Sequence, residues 1–478
     1  MAPERAGQTR NKGPYIDGEW HDGEETLTVT DLTDGSVFAE VSAAGPAEAR
    51  AALAAAAGCQ PRLRTSTVPE RCDWLTAIAD GIEARREDLV EAIVREAGKP
   101  VSSARSEVDS AAERFRRAVE EARSIRGEHR RGTTASHEGW EAVVTPEAIG
   151  TVLCITPYNY PLATTALQVA PALAAGNGVV LKPSSNTPVT AAILADVVAD
   201  TDVPDGALNY VPGRGSAIGE TLASDDRVDA IAMTGSTGAG KRVARQSGLV
   251  NLHMELGGNA PVLVFPDADL DAAASAITSG ALSYAGQRCS AVSRVLAHES
   301  IHDDLVARID HEMADWELGD LFDADTDIGP LIDEGQAEWV EGLVSDARDA
   351  GAKLVRGGDR EGNWFEPTLL ADVPRDARIV HDEQFGPVCP VTTFADREDA
   401  LALVDEGDLA LDGAVFTADY DRAMDVARRI DAGAVRINGA PSHGLGDIPF
   451  GGNGDSGIGR EGLHTSIEDY LRTKSIVL

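Results

Sequence analysis

Lysine is scarce in this chain. Only Lys12, Lys99, Lys182, Lys241, Lys353 and Lys474 occur, in 478 residues that carry 42 basic and 79 acidic side chains, a net charge of −37. A field of that sign repels nucleic acid and anionic membrane, which excludes both as partners. The acidic excess is no tail: short DD, DAD and DEG clusters spread it along the chain. Distributed acidity with little lysine is the surface expected of a halophilic protein in a salt-rich cytoplasm, where salt screens self-repulsion.

Cysteine is scarce too. Cys59, Cys72, Cys154, Cys289 and Cys389 form no CxxC pair and no zinc-like spacing with histidine, which argues against a disulfide framework and a zinc module. Most are expected to be small buried fillers. No apolar run reaches the length of a bilayer span. The first residues, MAPERAGQTRNKGP, lack an apolar h-region, so the expected location is cytoplasmic.

What is present is ordinary globular material, 43% hydrophobic and 25% charged, long enough for two or three domains. Residues 15–23 read as a strand, a turn and a strand. From Pro46 to about Arg126 the alanine-rich pattern is helical. Residues 132–150 read as an extended arm or hairpin. Then strands and helices alternate: TVLCIT (151–156), a helix closed by Gly176 and Asn177, GVVLKPS, a helix opening at Thr187 and Pro188, LNYVPG, and AIAMTGS running into a glycine-rich turn and a helix. This alternation predicts a doubly wound parallel sheet with its ligand at the carboxyl ends of the strands. A second α/β region starts near Glu255, and the last residues form an alternating stretch suited to an edge strand.

Five stretches carry residues capable of chemistry. TGSTGAGKR (234–242) places Gly235, Gly238 and Gly240 between a strand and a helix, where backbone N–H groups favour a phosphate. It is neither GxGxxG nor a Walker motif, and a tight turn explains it equally well. VVLKPSS (179–185) sets Lys182 and Ser185 at a strand end, able to hold a ribose or simply to face solvent. In HMELGGNAP (253–261), Glu255 lies in an apolar stretch that would raise its pKa and suit it to general base work. In SYAGQRCSAVSR, Cys289 follows Arg288; a nucleophilic cysteine needs a nearby positive charge or base. In TPYNYP (156–161), the Asn159 amide can donate to an oxyanion.

In this order and spacing, these stretches together with DEQFGPV (382–388) and PFGG (449–452) resemble the aldehyde dehydrogenase superfamily from about Tyr15 to the C-terminus. The resemblance implies an α/β aldehyde dehydrogenase-like fold. It has a Rossmann-type dinucleotide-binding domain (13–131 and 151–254), an α/β catalytic domain (255–450) and a small β oligomerisation arm (132–150 and 463–478). It implies NAD(P)-dependent oxidation of an aldehyde to its acid without a metal, in a homodimer or homotetramer. Cys289 matches the nucleophile, Glu255 the base that activates water for the thioester, and Asn159 an oxyanion donor. Lys182 and Ser185 match the adenosine ribose site, alongside Thr156 and Pro157. Gly235 and Ser236 match the pyrophosphate turn, and Glu383 and Phe385 the nicotinamide site. Serine at 185, where NAD-preferring members carry glutamate, predicts NADP over NAD.

Within the superfamily, NYP, GRGSAIG (213–219), SYAGQRCSAVSR and DIGPLID (327–333) resemble the non-phosphorylating glyceraldehyde-3-phosphate dehydrogenases. Tyr160 and Arg288 match substrate-phosphate positions there, while two further arginines of that branch fall on Ser110 and His443. Glyceraldehyde 3-phosphate, with Arg116 or another arginine standing in, a hydroxy-aldehyde and a semialdehyde are the substrate alternatives. An inactive binding protein on the same scaffold and a nucleotide-free hydrolase are rival classes.

Overall fold

A computed structural model describes residues 11–442 and 448–478. The alanine-rich region that reads as continuously helical forms four helices, Pro46–Thr65, Val68–Ala84, Arg86–Ala97 and Val101–Ser124. The breaks have local causes. Thr67 and Glu70 cap each other: Thr67 Oγ1 accepts from the Glu70 N–H at 3.3 Å, and Glu70 Oε2 accepts from the Thr67 N–H at 2.7 Å. Gly98 closes the third helix at φ 68°, a left-handed conformation that suits glycine. Pro100 then has no N–H with which to continue it.

The alternating region forms an eight-stranded sheet. Its central strands run parallel in the spatial order Leu208–Tyr210, Gly178–Lys182, Thr151–Ile155, Ala230–Thr234 and Asn251–Glu255. The hairpin Tyr15–Ile16/Glu19–Trp20 flanks one edge and Gly457–Ile458 the other. Chain order reverses between Thr151–Ile155 and Ala230–Thr234. Loops leaving these neighbours therefore diverge and open a crevice at the carboxyl edge.

Residues 256–259 carry the chain into a second sheet of seven strands. Ala260–Val264 lies between Val292–His298 and Asp412–Phe416, all parallel. Both faces are covered, so alternate residues enter different cores. Val262, Val264 and Val295 join one cluster, while Leu263, Leu296 and Val415 join the other. The carboxyl edge of the first sheet faces the amino edge of the second.

The arm differs from expectation in two places. It starts earlier, because Glu128–Arg131 pairs with Glu141–Ala148. Its C-terminal part starts later, because Leu463–Asp469 is a helix packed on Val101–Ser124 and Ala163–Ala175. Only Leu471–Val477 joins the arm, as the edge strand expected from its alternation. No described helix is long and apolar enough to cross a membrane.

Two buried carboxylates from the helical layer hold the starts of sheet helices. Glu96 accepts from the N–H groups of Val189 and Thr190 at 2.8 and 2.7 Å. Glu107 Oε1 accepts from Leu162 and Ala163 at 3.0 and 3.1 Å, and its Oε2 meets Lys99 Nζ at 2.5 Å. These helix starts need acceptors for their free N–H groups. Lys99 is 1% exposed, so removing its partner strands a buried charge. Glu107→Ala should destabilise the fold by about 3 kcal/mol, and Lys99→Met by less, because Glu107 keeps its two amide partners. Urea unfolding followed by tryptophan fluorescence checks the ranking.

Candidate active site

A cavity of about 1110 Å³ opens where the two sheets meet. It is lined by residues 155–160 and 182–185 with 233–239 from the first sheet, and by the 288–290 and 382–385 loops from the second.

The cysteine loop is an unusual backbone. Tyr284, Ala285 and Gly286 follow one another at φ 55°, 51° and 70°. Left-handed alanine and tyrosine cost about 1–2 kcal/mol each, so the surroundings must enforce the turn. Tyr284 donates to the Ala97 carbonyl at 2.6 Å. Gly286 lies against the Gly386 carbonyl, where a Cβ would approach to 2.1 Å. The fully buried Gln287 is clamped on both sides: its Oε1 accepts from Ile332 N–H at 2.9 Å and its Nε2 donates to Pro330 O at 3.2 Å.

Beyond this turn, Cys289 lines the cavity, whereas Cys59, Cys72, Cys154 and Cys389 are buried. Burial pushes the Cys289 thiol up, and Asp412, Glu383 and Glu255 push the same way while Arg288 opposes them. Asn159 Nδ2 donates to the Gln287 carbonyl at 2.8 Å. An amide has two N–H donors, so this bond fixes the side chain and leaves the other for the cavity. Glu255 is 1% exposed, and neither of its oxygens has a hydrogen-bond partner among the described residues. Burial raises its pKa, with the Glu461 charge adding to it and His253 and Arg460 opposing.

The crevice of the first sheet fits a dinucleotide. Ser236 precedes the helix Thr237–Gln246, and its carbonyl takes the N–H groups of Ala239 and Gly240 at 3.0 Å. The earlier N–H groups at this helix start face the crevice, which suits a phosphate. Nothing lies within 4 Å of where a Gly238 Cβ would stand, while Gly240 admits Leu256, which a Cβ would meet at 2.4 Å. Lys182 Nζ is buried with one bond, to the Pro183 carbonyl at 3.0 Å, and burial pulls its pKa down to about 8. An ammonium has three donors, so it has two to offer. Ser185 lines the same end, and Thr156 and Pro157 form its wall.

At the other end, Glu383 Oε1 accepts from the Gly258 N–H at 2.9 Å, and burial pushes its pKa up to about 7. Phe385 sits at φ 51° with its ring edge-on to Tyr158 at 6.0 Å. Gln336 holds this turn, donating to Gln384 and Phe385 carbonyls at 2.9 and 3.1 Å.

Tyr160, Arg288 and Ser110 line the cavity, and His443 lies outside the described residues. Arg116 does not stand in for a missing arginine. It points to Glu83 and Asp80 on the protein surface, because its turn of the helix faces away from the sheets. Sequence reasoning missed Arg114, which lines the cavity and donates through Nη1 to the Ala163 carbonyl. It also missed Lys99, which sits over the Tyr160 and Tyr284 rings at 3.6 and 4.6 Å, and the buried Glu461. A signal existed: Ser103, Ser106, Glu107, Ser110 and Arg114 recur at helical spacing, a small-residue stripe on a charged helix.

Known proteins share this sequence pattern and fold. The family model described as aldehyde dehydrogenase family matches residues 20–476. The NADP-dependent glyceraldehyde-3-phosphate dehydrogenase of Streptococcus equinus is 35% identical, over 98% of this chain and 99% of its own. The NADP(+) succinate-semialdehyde dehydrogenase of Escherichia coli K12 is 36% identical, over 96% of each. The crystal structure of the NADP-dependent glyceraldehyde-3-phosphate dehydrogenase of Bacillus halodurans C-125, complexed with NADP, superposes with a TM-score of 0.96 at 36% identity, covering 98% of this chain and 99% of its own. Both the fold and the sequence therefore identify the chain as a member of the aldehyde dehydrogenase family.

Proposed function

We propose that this enzyme oxidises a small aldehyde bearing a terminal anion, using NADP in preference to NAD. The observation that carries the substrate class is a pair of arginines beside the nucleophile. Arg114 and Arg288 both line the cavity with Cys289, and the Nε of each is buried with no hydrogen-bond partner among the described residues. Buried donors without partners are costly, and an anionic oxygen would satisfy them. Phosphate and carboxylate both meet that requirement, and relatives named for each occur.

Each residue then has a task. Cys289 gives up its thiol proton to water, its Sγ bonds to the aldehyde carbon, and the C=O π pair moves onto the oxygen, an anion received by the Asn159 amide and the Cys289 N–H. Bound NADP supplies the hydride acceptor, so that a thioester remains on Cys289. Lys182 and Ser185 hold the ribose end, residues 235–238 the pyrophosphate, and Glu383 with Phe385 the nicotinamide end. Glu255 takes a proton from water, whose oxygen bonds to the acyl carbon as the carbon–sulfur bond breaks. NADP is favoured because the cavity residues from the 182–185 and 233–239 segments include no carboxylate. The NADP-dependent relatives support the same choice.

The exposed side chains of Trp140, Val143, Ile476 and Val477 make the arm a surface for a second copy, giving a dimer or tetramer. A net charge of −37 on each copy means that assembly needs salt, as in a salt-rich cytoplasm.

With purified protein, glyceraldehyde 3-phosphate or succinate semialdehyde should give a higher kcat/KM than lactaldehyde or butanal. Cys289→Ala should abolish the activity, which a merely binding protein would not have shown. Arg114→Met should lower kcat/KM for the anionic substrate about 10- to 100-fold, the loss expected for a charged hydrogen bond, and leave the neutral one unchanged. Equal rates with charged and neutral aldehydes contradict the substrate class. Ser185→Glu should reverse the cofactor preference, read as initial rates with NADP and NAD. Sedimentation at 0.1 and 2 M KCl, roughly 10 and 2–3 Å of screening length, should show oligomer only at the higher salt.

A further inference from the structure

Glu255 has an uncommon neighbour. His253 lies two residues earlier on the same strand, so both side chains leave the same face of the sheet. The imidazole is 4% exposed. Its Nε2 stands 3.5 Å from Glu255 Oε1, and its Nδ1 stands 3.2 Å from Asp469 Oδ2. Asp469 ends the helix Leu463–Asp469, and its side chain is half-exposed. Its position is fixed from behind, since Asn251 Nδ2 donates to the Asp469 carbonyl at 3.1 Å. The result is a line of three groups, from a solvent-facing carboxylate through a buried ring to the buried carboxylate of the site.

We propose that His253, anchored by Asp469, is a positioning residue that favours the ionised form of Glu255 and so sets the pH above which the thioester is hydrolysed. The proposal rests on the reading of Glu255 as the base that activates water. A carboxylate this deeply buried, without a hydrogen bond, favours its neutral form, and a neutral carboxyl cannot accept the proton of water. An imidazolium at 3.5 Å offsets part of that burial, which still leaves the Glu255 pKa pushed up to about 8. Among the described residues, charged groups act on the pair from the surrounding elements. Asp469 and Glu255 touch the ring, Glu461 approaches from the 450–461 segment, and Arg460 acts on Glu255 from the same segment. Burial alone would pull the imidazole down, but the contacts with Asp469 and Glu255 push it up to about 10. The charged ring is therefore the form that these two carboxylates favour.

The sign follows. Glu255 works as a base only when ionised, so hydrolysis has an acid limb at its pKa. Removing the imidazolium removes a lowering influence and moves that limb upward. Neither His253 nor Asp469 lines the cavity, so aldehyde binding and acyl-enzyme formation stay as they are.

The test is a single turnover with enzyme in excess, quenched at intervals, with the acyl-enzyme followed by intact-protein mass across pH 5–10. In His253→Gln the acid limb of acyl-enzyme decay should move up by about one pH unit, the usual effect of losing a close opposite charge. In the half-exposed Asp469→Asn it should move the same way by less, with the melting temperature near that of the parent. An unmoved limb in both variants overturns the role of His253, and so does a shift in His253→Gln accompanied by a raised KM and slower acylation. Glu255→Gln separates the two ideas. Rapid decay there overturns the base assignment and His253 with it, whereas slow decay there beside an unmoved limb in His253→Gln overturns His253 alone.

Discussion

The carbonyl of Cys289 lies so near Gly258 that a Cβ on this glycine would stand 2.1 Å from it. Similar approaches bring Gly286 to the Gly386 carbonyl and Gly257 to the Glu383 carboxylate. The Gly258 contact, through backbone, and the Gly257 contact, through the Glu383 carboxylate, join the link between the sheets to loops of the second, while Gly286 packs two of those loops together. Only where no side chain intervenes can Asn159, Glu255, Cys289 and Glu383 arrive from four different segments within one cavity. The left-handed run at Tyr284 and Ala285 belongs to the same constraint. Strain of that kind persists when the surroundings over-determine it, as the Tyr284 hydroxyl and the clamped Gln287 do here.

Burial shifts four charged groups at this junction. Lys182, Glu255, Glu383 and Arg114 are all shifted toward their neutral forms, and desolvation is the largest cause in each case. Water would have left these groups at ordinary values and weakened their pull on a ligand. The dry site instead makes each interaction depend on a specific partner. Glu107 serves two partners at once, holding the start of the helix that follows Asn159 and neutralising Lys99 beneath Tyr160. Structure and reactivity therefore share the same buried carboxylates.

The sequence made the framework legible because both sheets obey simple periodicity. Apolar runs such as TVLCIT and GVVLKPS became parallel strands, and Gly176 with Asn177 closed a helix where expected. Local neighbours did not single out Cys289, because Cys59 also follows a glycine and Cys72 an arginine; the family resemblance of its whole stretch did. Arg114 was not legible, because on a helix rich in arginine and glutamate one charge looks like the next. Its meaning depends on which turn faces the sheets, and Arg116, two residues on, faces solvent. His253 was hidden differently: Glu255 is its neighbour in the strand, but its anchor Asp469 arrives only when helix Leu463–Asp469 is brought across the sheet edge. Long-range neighbours are what one-dimensional patterns omit.

An acidic protein that binds NADP, itself an anion, must place attraction and repulsion at different distances. The surface charge of −37 acts over the screening length and slows the approach of any anionic aldehyde or dinucleotide when salt is low. Arg114, Arg288 and Lys182 act at contact distance inside the cavity, where bulk salt screens poorly. Raising the salt therefore removes the repulsion and leaves the recognition. This separation explains why lysine can be nearly eliminated from the surface while Lys99 and Lys182 are kept in the interior, where each has buried work that a solvated charge could not perform.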